Sequence, residues 1–214
     1  MLSNEELNNL LKGYNMLLYF SGSMILSEPT DECVIDFWSS NRLKQLPVSS
    51  SNPRFLKASS LLRNSCSDKE ICSKKLSDDY FRLFAPDGLP LAPAFESLFK
   101  KLPKSGGIQD DNVGGFYDSY GWDYSLRGKI KDDHLGIELL FLTRLIEKYL
   151  QLDDEPCRAE MRKEMLRFIN SHVLSWIPAW NKAVSENSRT FCYKGIADLI
   201  YASVEDINNI LSEA

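Results

Sequence analysis

Apolar residues in this chain recur every three to four positions, a period that fits an α-helix and not a strand. Behind the opening Ser3-Asn4-Glu5-Glu6, residues Leu7, Leu10, Leu11, Tyr14, Leu17 and Leu18 fall on one helical face. The same spacing returns in Leu139, Leu142, Leu145, Ile146 and Leu150, and again in Ile196, Leu199, Ile200, Ile207, Ile210 and Leu211. No stretch alternates apolar and polar residues convincingly. The one Asp-Gly pair, Asp87-Gly88, sits in a proline-rich loop and not between strand-like runs. The 214 residues therefore predict an all-α fold, a single-domain helical bundle spanning 1–214. At an average of about 11–12 residues per helix, it holds roughly eight to ten helices.

Local punctuation divides the bundle. Ser3 and Glu6 form a capping box, each side chain serving the other's free backbone amide. Glu28-Pro29 ends the first helix, and Thr30-Asp31 caps a short one through Val34, Phe37 and Trp38. Residues 49–53 form a turn-rich connector, after which Ala58, Leu61 and Leu62 mark another helix. A second capping box, Ser67-Asp68-Lys69-Glu70, leads into Asp79-Tyr80-Phe81-Arg82-Leu83-Phe84. Three prolines and a glycine make 85–93 a loop, and four glycines with Pro103 make 101–115 a second loop, the candidate hinge. Asp132 or Asp133 is placed to cap the long helix that follows. Asp154-Glu155-Pro156 opens the next, which runs through Met165, Phe168, Ile169 and Val173 until Pro178 breaks or kinks it.

Composition closes off several functions. A net charge of −5 argues against a nucleic-acid partner, which needs clustered Lys and Arg, and is compatible with a basic peptide. The apolar run 135–142 is interrupted by Glu138 and falls short of the about 20 residues of a membrane helix. The acidic start lacks the flanks of a signal peptide, so the expected compartment is the cytoplasm. Five cysteines without a CxxC pair predict core thiols and no disulfide framework. His134 and His172 are the only histidines, and neither has cysteine neighbours at zinc-ligand spacing. Nucleotide, hydrolase and metalloprotease motifs are missing. No metal, no cofactor and no enzymatic activity are expected.

Two clusters remain. Asp132-Asp133-His134 with Glu138 reads either as a base dyad or as a carboxylate cap with a locally bonded imidazole. The aromatic set Phe81, Phe84, Phe95, Phe99, Phe116, Tyr117, Tyr120, Trp122 and Tyr124 flanks the two loops, where a peptide-binding groove wall is placed to form.

These clusters carry a resemblance to the TorD/DmsD family of molybdoenzyme assembly chaperones. Asp79-Tyr80-Phe81-Arg82-Leu83-Phe84 followed by Pro93-Ala94-Phe95-Glu96-Ser97 is similar to the family's D-Y-x-R-L-F segment and its proline-rich turn. Asp133-His134-Leu135-Gly136 with Glu138 resembles its D-H-x-G helix start, and His172-Val173-Leu174-Ser175-Trp176 its H-L-x-P-W. The blocks are collinear. Ala94 and Ser175 depart from the family's prolines, and Ile130-Lys131-Asp132 stands where Glu-Pro often precedes the Asp-His pair.

The resemblance implies a cytoplasmic, non-catalytic chaperone that holds the precursor of a molybdopterin oxidoreductase by its twin-arginine leader, its body, or both, until the cofactor is inserted. It assigns the leader's charge to Asp133, Glu138 and Glu96. Its apolar part falls to a groove of Phe95, Phe99, Tyr117, Tyr120 and Trp122, with Ser97 in the turn and His134 ordering Asp133 and the helix start. A monomer is the simpler expectation, with dimerisation through the hinge the other. The competing readings are a helical interaction module without such a client and a small hydrolase built on Asp133 and His134.

Overall fold

A computed structural model describes residues 3–30, 46–65, 69–85, 89–100 and 112–213. Among them the regular elements are helices: α1 (Asn4–Leu26), α2 (Pro53–Arg63), α3 (Lys69–Phe84), α4 (Glu96–Phe99), α5 (Val113–Ser119), α6 (Leu135–Leu150), α7 (Glu155–Phe168), α8 (Ile177–Asn187) and α9 (Phe191–Glu213). A π turn, Ile169–Val173, follows α7. Extended pairing among the described residues is confined to two isolated bridges, Phe95 with His134 and Arg127 with Ile130. The fold is the all-α bundle that the apolar period predicts.

Caps explain several boundaries, at Ser3 and Asp154 as expected and at Asn52 within the expected connector. Ser3 and Glu6 form the reciprocal capping box on α1, Asn52 accepts from the Arg54 amide ahead of Pro53 at the start of α2, and Asp154 accepts from the Cys157 amide at the start of α7. The short helix after Thr30-Asp31, the box at Ser67-Asp68 and most of the hinge loop lie outside the described residues. The end of that loop does not: Val113, Gly114 and Gly115 are the first turn of α5, capped by Asn112. Pro178 is also placed differently from expectation. The helix ends ten residues earlier at Phe168, and Pro178 sits in the first turn of α8, where its missing N–H costs nothing.

Helix α6 is the centre, buried on nearly all sides and packed against α1 and α7, while α9 packs on α2, α1 and α8. The α1–α6 contact is close because Gly136 has no side chain. A Cβ there would meet the Leu26 Cβ at 3.0 Å and the Gly22 carbonyl oxygen at 3.1 Å. Gly195 serves α9 likewise, where a Cβ would meet the Leu62 Cγ at 2.8 Å.

A buried carboxylate fastens α3 to the start of α9. Asp79 accepts from Thr190 N (2.9 Å) and Oγ1 (2.8 Å), Ser188 Oγ (2.9 Å), Arg189 N (3.0 Å) and Arg82 Nη2 (2.7 Å). Burial pushes its pKa up, but the bonds from Thr190, Arg82 and Ser188 more than offset that and hold it below the ordinary value. Arg82 in turn donates to the Asn187 carbonyl at the end of α8.

The cysteines depart from the expected pattern. Cys192 is a buried thiol, but Cys157 is exposed and Cys72 is disulfide-bonded. Among the described residues no helix is long and apolar enough to cross a membrane.

Candidate functional site

The chain entering α4 and the chain entering α6 run side by side and exchange backbone bonds. Leu135 N donates to the Ala94 carbonyl (2.8 Å) and Glu96 N to the Asp133 carbonyl (2.9 Å). Ser97 N donates to Asp133 Oδ2 at 3.0 Å, so one carboxylate caps the start of α4 from another segment. Between these bonds, Phe95 and the His134 imidazole meet edge to face with centroids 5.0 Å apart. Lys131 adds its ammonium 5.8 Å from the Phe95 ring.

No carboxylate caps α6. The cap is His134, whose Nδ1 accepts the Gly136 amide at 3.0 Å. An imidazole does this only when neutral, and burial favours that form, lowering the pKa from 6.5 to about 4 against the pull of Asp133. Asp133 is instead the cap of α4, half-buried and bonded to the Ser97 amide through one of its two oxygens.

A buried polar cluster lies behind the turn. Glu96 ion-pairs with Lys100 (2.9 Å) and faces His172 Nδ1 at 3.3 Å, while Lys100 also donates to the Ser171 carbonyl at 2.9 Å. Phe99 stacks on Trp176 with centroids 5.8 Å apart, and the Trp176 indole donates to the His172 carbonyl at 2.5 Å. The π turn makes this possible. Its wider path carries His172 and Trp176 toward α4, and such turns are frequent at functional sites.

Glu138, in the first turn of α6, is fully buried, and neither carboxylate oxygen has a hydrogen-bond partner among the described residues. Burial first, then the nearby charges of Glu96 and Asp133, raises its pKa well above the usual carboxylate range, which makes it neutral. Glu96 is also buried and already paired. Of the three acidic residues assigned to a client's charge, Asp133 alone faces solvent in this conformation.

The aromatic residues divide. Tyr117 is core, its hydroxyl donating to the Asp132 carbonyl at 3.0 Å, and its ring lies 4.9 Å from Trp122 and 4.8 Å from Phe141. Trp122, stacked on Tyr124 at 4.7 Å, and Tyr120 are part-buried and cluster with Phe141. These rings fill one another's edges and faces, in place of the open groove wall that the sequence suggests. Phe95 and Phe99 are half-buried beside Asp133.

Sequence reasoning misses two features here. Leu91 and Leu98 are exposed at 46% and 62% around the turn, and Leu98 is flanked by Ser97 and Phe99, which the motif does single out. The sequence also offers Asp132 as a cap for α6. Asp132 instead accepts the Tyr117 hydroxyl on its carbonyl and the Tyr124 hydroxyl on its carboxylate, tying α5 to the site. Among the described residues no group of three or more metal-binding side chains comes together.

Parts of the three motif blocks, far apart in sequence, thus meet at one place, 93–97, 133–138 and 172–176, whereas Asp79 of the first block serves the start of α9 instead. A family profile described as nitrate reductase delta subunit matches residues 52–182, more than half of the chain. A chaperone protein TorD from Photobacterium profundum is 29% identical over 53% of this chain and 60% of its own length. Another, from Aliivibrio salmonicida, is 34% identical over 34% of each chain. The matched stretches therefore cover less than two thirds of those relatives. With the profile match across the segment that builds the site, the chain belongs to the nitrate reductase delta subunit family, in agreement with the TorD/DmsD resemblance of its motifs.

Proposed function

We propose that this protein is a non-catalytic cytoplasmic chaperone that binds the precursor of a molybdopterin oxidoreductase and holds it for cofactor insertion before export. One observation carries the reading: Asp133, half-buried, is bonded to the Ser97 amide, next in the chain to the exposed Leu98 and two residues from the half-buried Phe95. A fixed carboxylate with a second oxygen to offer accepts a guanidinium bond, and Leu91, Leu98 and Phe95 give apolar contact to the segment that follows. That pairing suits a twin-arginine leader, whose charge precedes an apolar stretch. The names of the TorD relatives support the same class of work.

In this reading Asp133 receives the first arginine, Phe95, Phe99 and Ser97 shape the turn that presents it, and His134 orders the α6 start. Tyr117, Tyr120 and Trp122 act as the packed floor beneath Asp132. Glu96 and Glu138 stand behind. The protein works as a monomer.

Titration calorimetry at low salt tests this. A leader peptide with its Arg-Arg pair binds, a Gln-Gln version binds at least about tenfold more weakly, and added salt weakens the first. Asp133→Asn reduces the preference and leaves the helical circular dichroism unchanged. Equal binding of the two peptides overturns leader recognition and leaves a helical interaction module without a molybdoenzyme client.

A further inference from the structure

Glu138 is the least satisfied group in the described structure. It brings two acceptor oxygens into the protein interior and finds no donor for either, and the buried His172 Nε2 is also without a bond. A carboxylate in that position is costly, so the group carries its proton instead. The surroundings agree. From α4 come Glu96 and Lys100, from the segment before α6 come Asp133 and the neutral His134, and from α5 comes the Tyr117 hydroxyl. From the π turn come His172 and, just past it, the Trp176 indole. That indole is near enough to pull slightly against the rise in the Glu138 pKa, but its N–H is given to the His172 carbonyl. On the far side α1 meets this end of α6 through Gly22 and Leu26, which bring no charge. Lys100, the cation of this set, is already shared between Glu96 and the Ser171 carbonyl.

The site proposed for the client's arginine thus has an outer carboxylate, Asp133, that is partnered on one oxygen, and an inner one, Glu138, that is unpartnered on both. Buried acceptors without donors match what a guanidinium supplies, namely paired N–H groups and a positive charge. We propose that Glu138 is the deep half of the cation site, and that an arginine of the client reaching it expels one proton to solvent. The exchange balances: Glu138–COOH and an arginine cation become a carboxylate–guanidinium pair and a free proton. This rests on the leader-binding reading above and adds to it that client capture is linked to proton release.

The linkage gives a direction. Each unit rise in pH below the point at which Glu138 ionises unaided tightens binding tenfold, because one proton leaves for each arginine bound. Acidification drives the client off.

Titration calorimetry of an Arg-Arg leader peptide into the full chain at pH 7, in phosphate and in Tris, reads the proton count directly. The two buffers take up a proton with very different heats. The expected result is an apparent enthalpy that differs between the two buffers in the wild type, in the sense of proton release, and does not differ in Glu138→Gln. Binding with identical heats in both buffers overturns the proton linkage while leaving leader recognition standing. Absence of any binding overturns both. Should Glu138→Gln lose its helical signal, the pH dependence of the wild-type affinity decides instead: tightening as the pH rises above 5 supports the exchange, and a profile flat from pH 5 to pH 8 refutes it.

Discussion

The Asp79 carboxylate on α3 holds both the amide and the hydroxyl of Thr190, at 2.9 and 2.8 Å, across a sequence gap of 111 residues. It is a helix cap supplied by a different helix. Removing it takes the shared acceptor from Ser188, Arg189 and Thr190 and the ion-pair partner from Arg82, which keeps only the Asn187 carbonyl. Asp79→Ala should therefore cost about 3 kcal/mol or more, and Asp79→Asn, which keeps one acceptor oxygen, about 1 kcal/mol less than that. Urea unfolding followed by circular dichroism measures both. A cost for Asp79→Ala within experimental error of zero would falsify the clamp.

His134 caps α6 only while neutral, so acid should attack that helix start first. Its folded pKa of about 4 lies below the ordinary 6.5, so the native state binds the proton less readily than the unfolded one. The contribution is fully present above pH 6.5 and is lost as pH falls toward 4, on the order of 3 kcal/mol in all. His134→Asn keeps a cap acceptor that does not titrate, and its stability should not show that loss. Proton NMR of the wild-type ring should find no titration near 6.5 and a midpoint near 4.

Glu138 has the opposite sign. Its folded pKa is raised, so the native state holds the proton more tightly, and its contribution is present below the ordinary 4.5 and lost as pH rises. Relative to the wild type, Glu138→Gln should gain nothing at pH 4.5 and then about 1.4 kcal/mol per pH unit until the buried carboxyl ionises. Stability curves for the two proteins at pH 5, 6, 7 and 8 give the comparison. Parallel curves would show that Glu138 is not held neutral.

Three glycines divide by their surroundings. Gly136→Ala and Gly195→Ala each drive a methyl group into a neighbouring helix and should cost about 1–3 kcal/mol by overpacking. Gly115, in α5, has nothing within 4 Å of the place its Cβ would take, so Gly115→Ala should stabilise by about 0.5–1 kcal/mol. Thermal unfolding of the three variants is enough. A melting temperature that rises for Gly136→Ala would mean that α1 and α6 are not packed as closely as described.

Much of this is readable in the chain, because caps and apolar periods are local. Ser3 with Glu6 and Asp154 before Pro156 each announce a helix start through residues three or fewer positions apart. What is not readable depends on distance or on unusual chemistry. An imidazole is an uncommon cap, so the adjacent carboxylates draw the assignment that belongs to His134. Asp133 looks like a partner for its own helix, yet its side chain serves Ser97, 36 residues earlier. The burial of Glu138 does leave a trace: it interrupts an apolar run at a helical interval from Leu135, Phe141 and Leu142, the face that enters the core. Nothing in the local pattern marks the π turn, which brings His172 to Glu96.

The long reach of these contacts has a consequence for biosynthesis. Glu96 waits for His172, 76 residues later, and Asp79 for the start of α9 beyond residue 187. While a ribosome is still making α7, Asp133 and the α4 turn already exist but have no π turn behind them, and α3 has no anchor. Contacts of such separation form late. A half-made copy therefore lacks the finished arrangement of α4, the α6 start and the π turn.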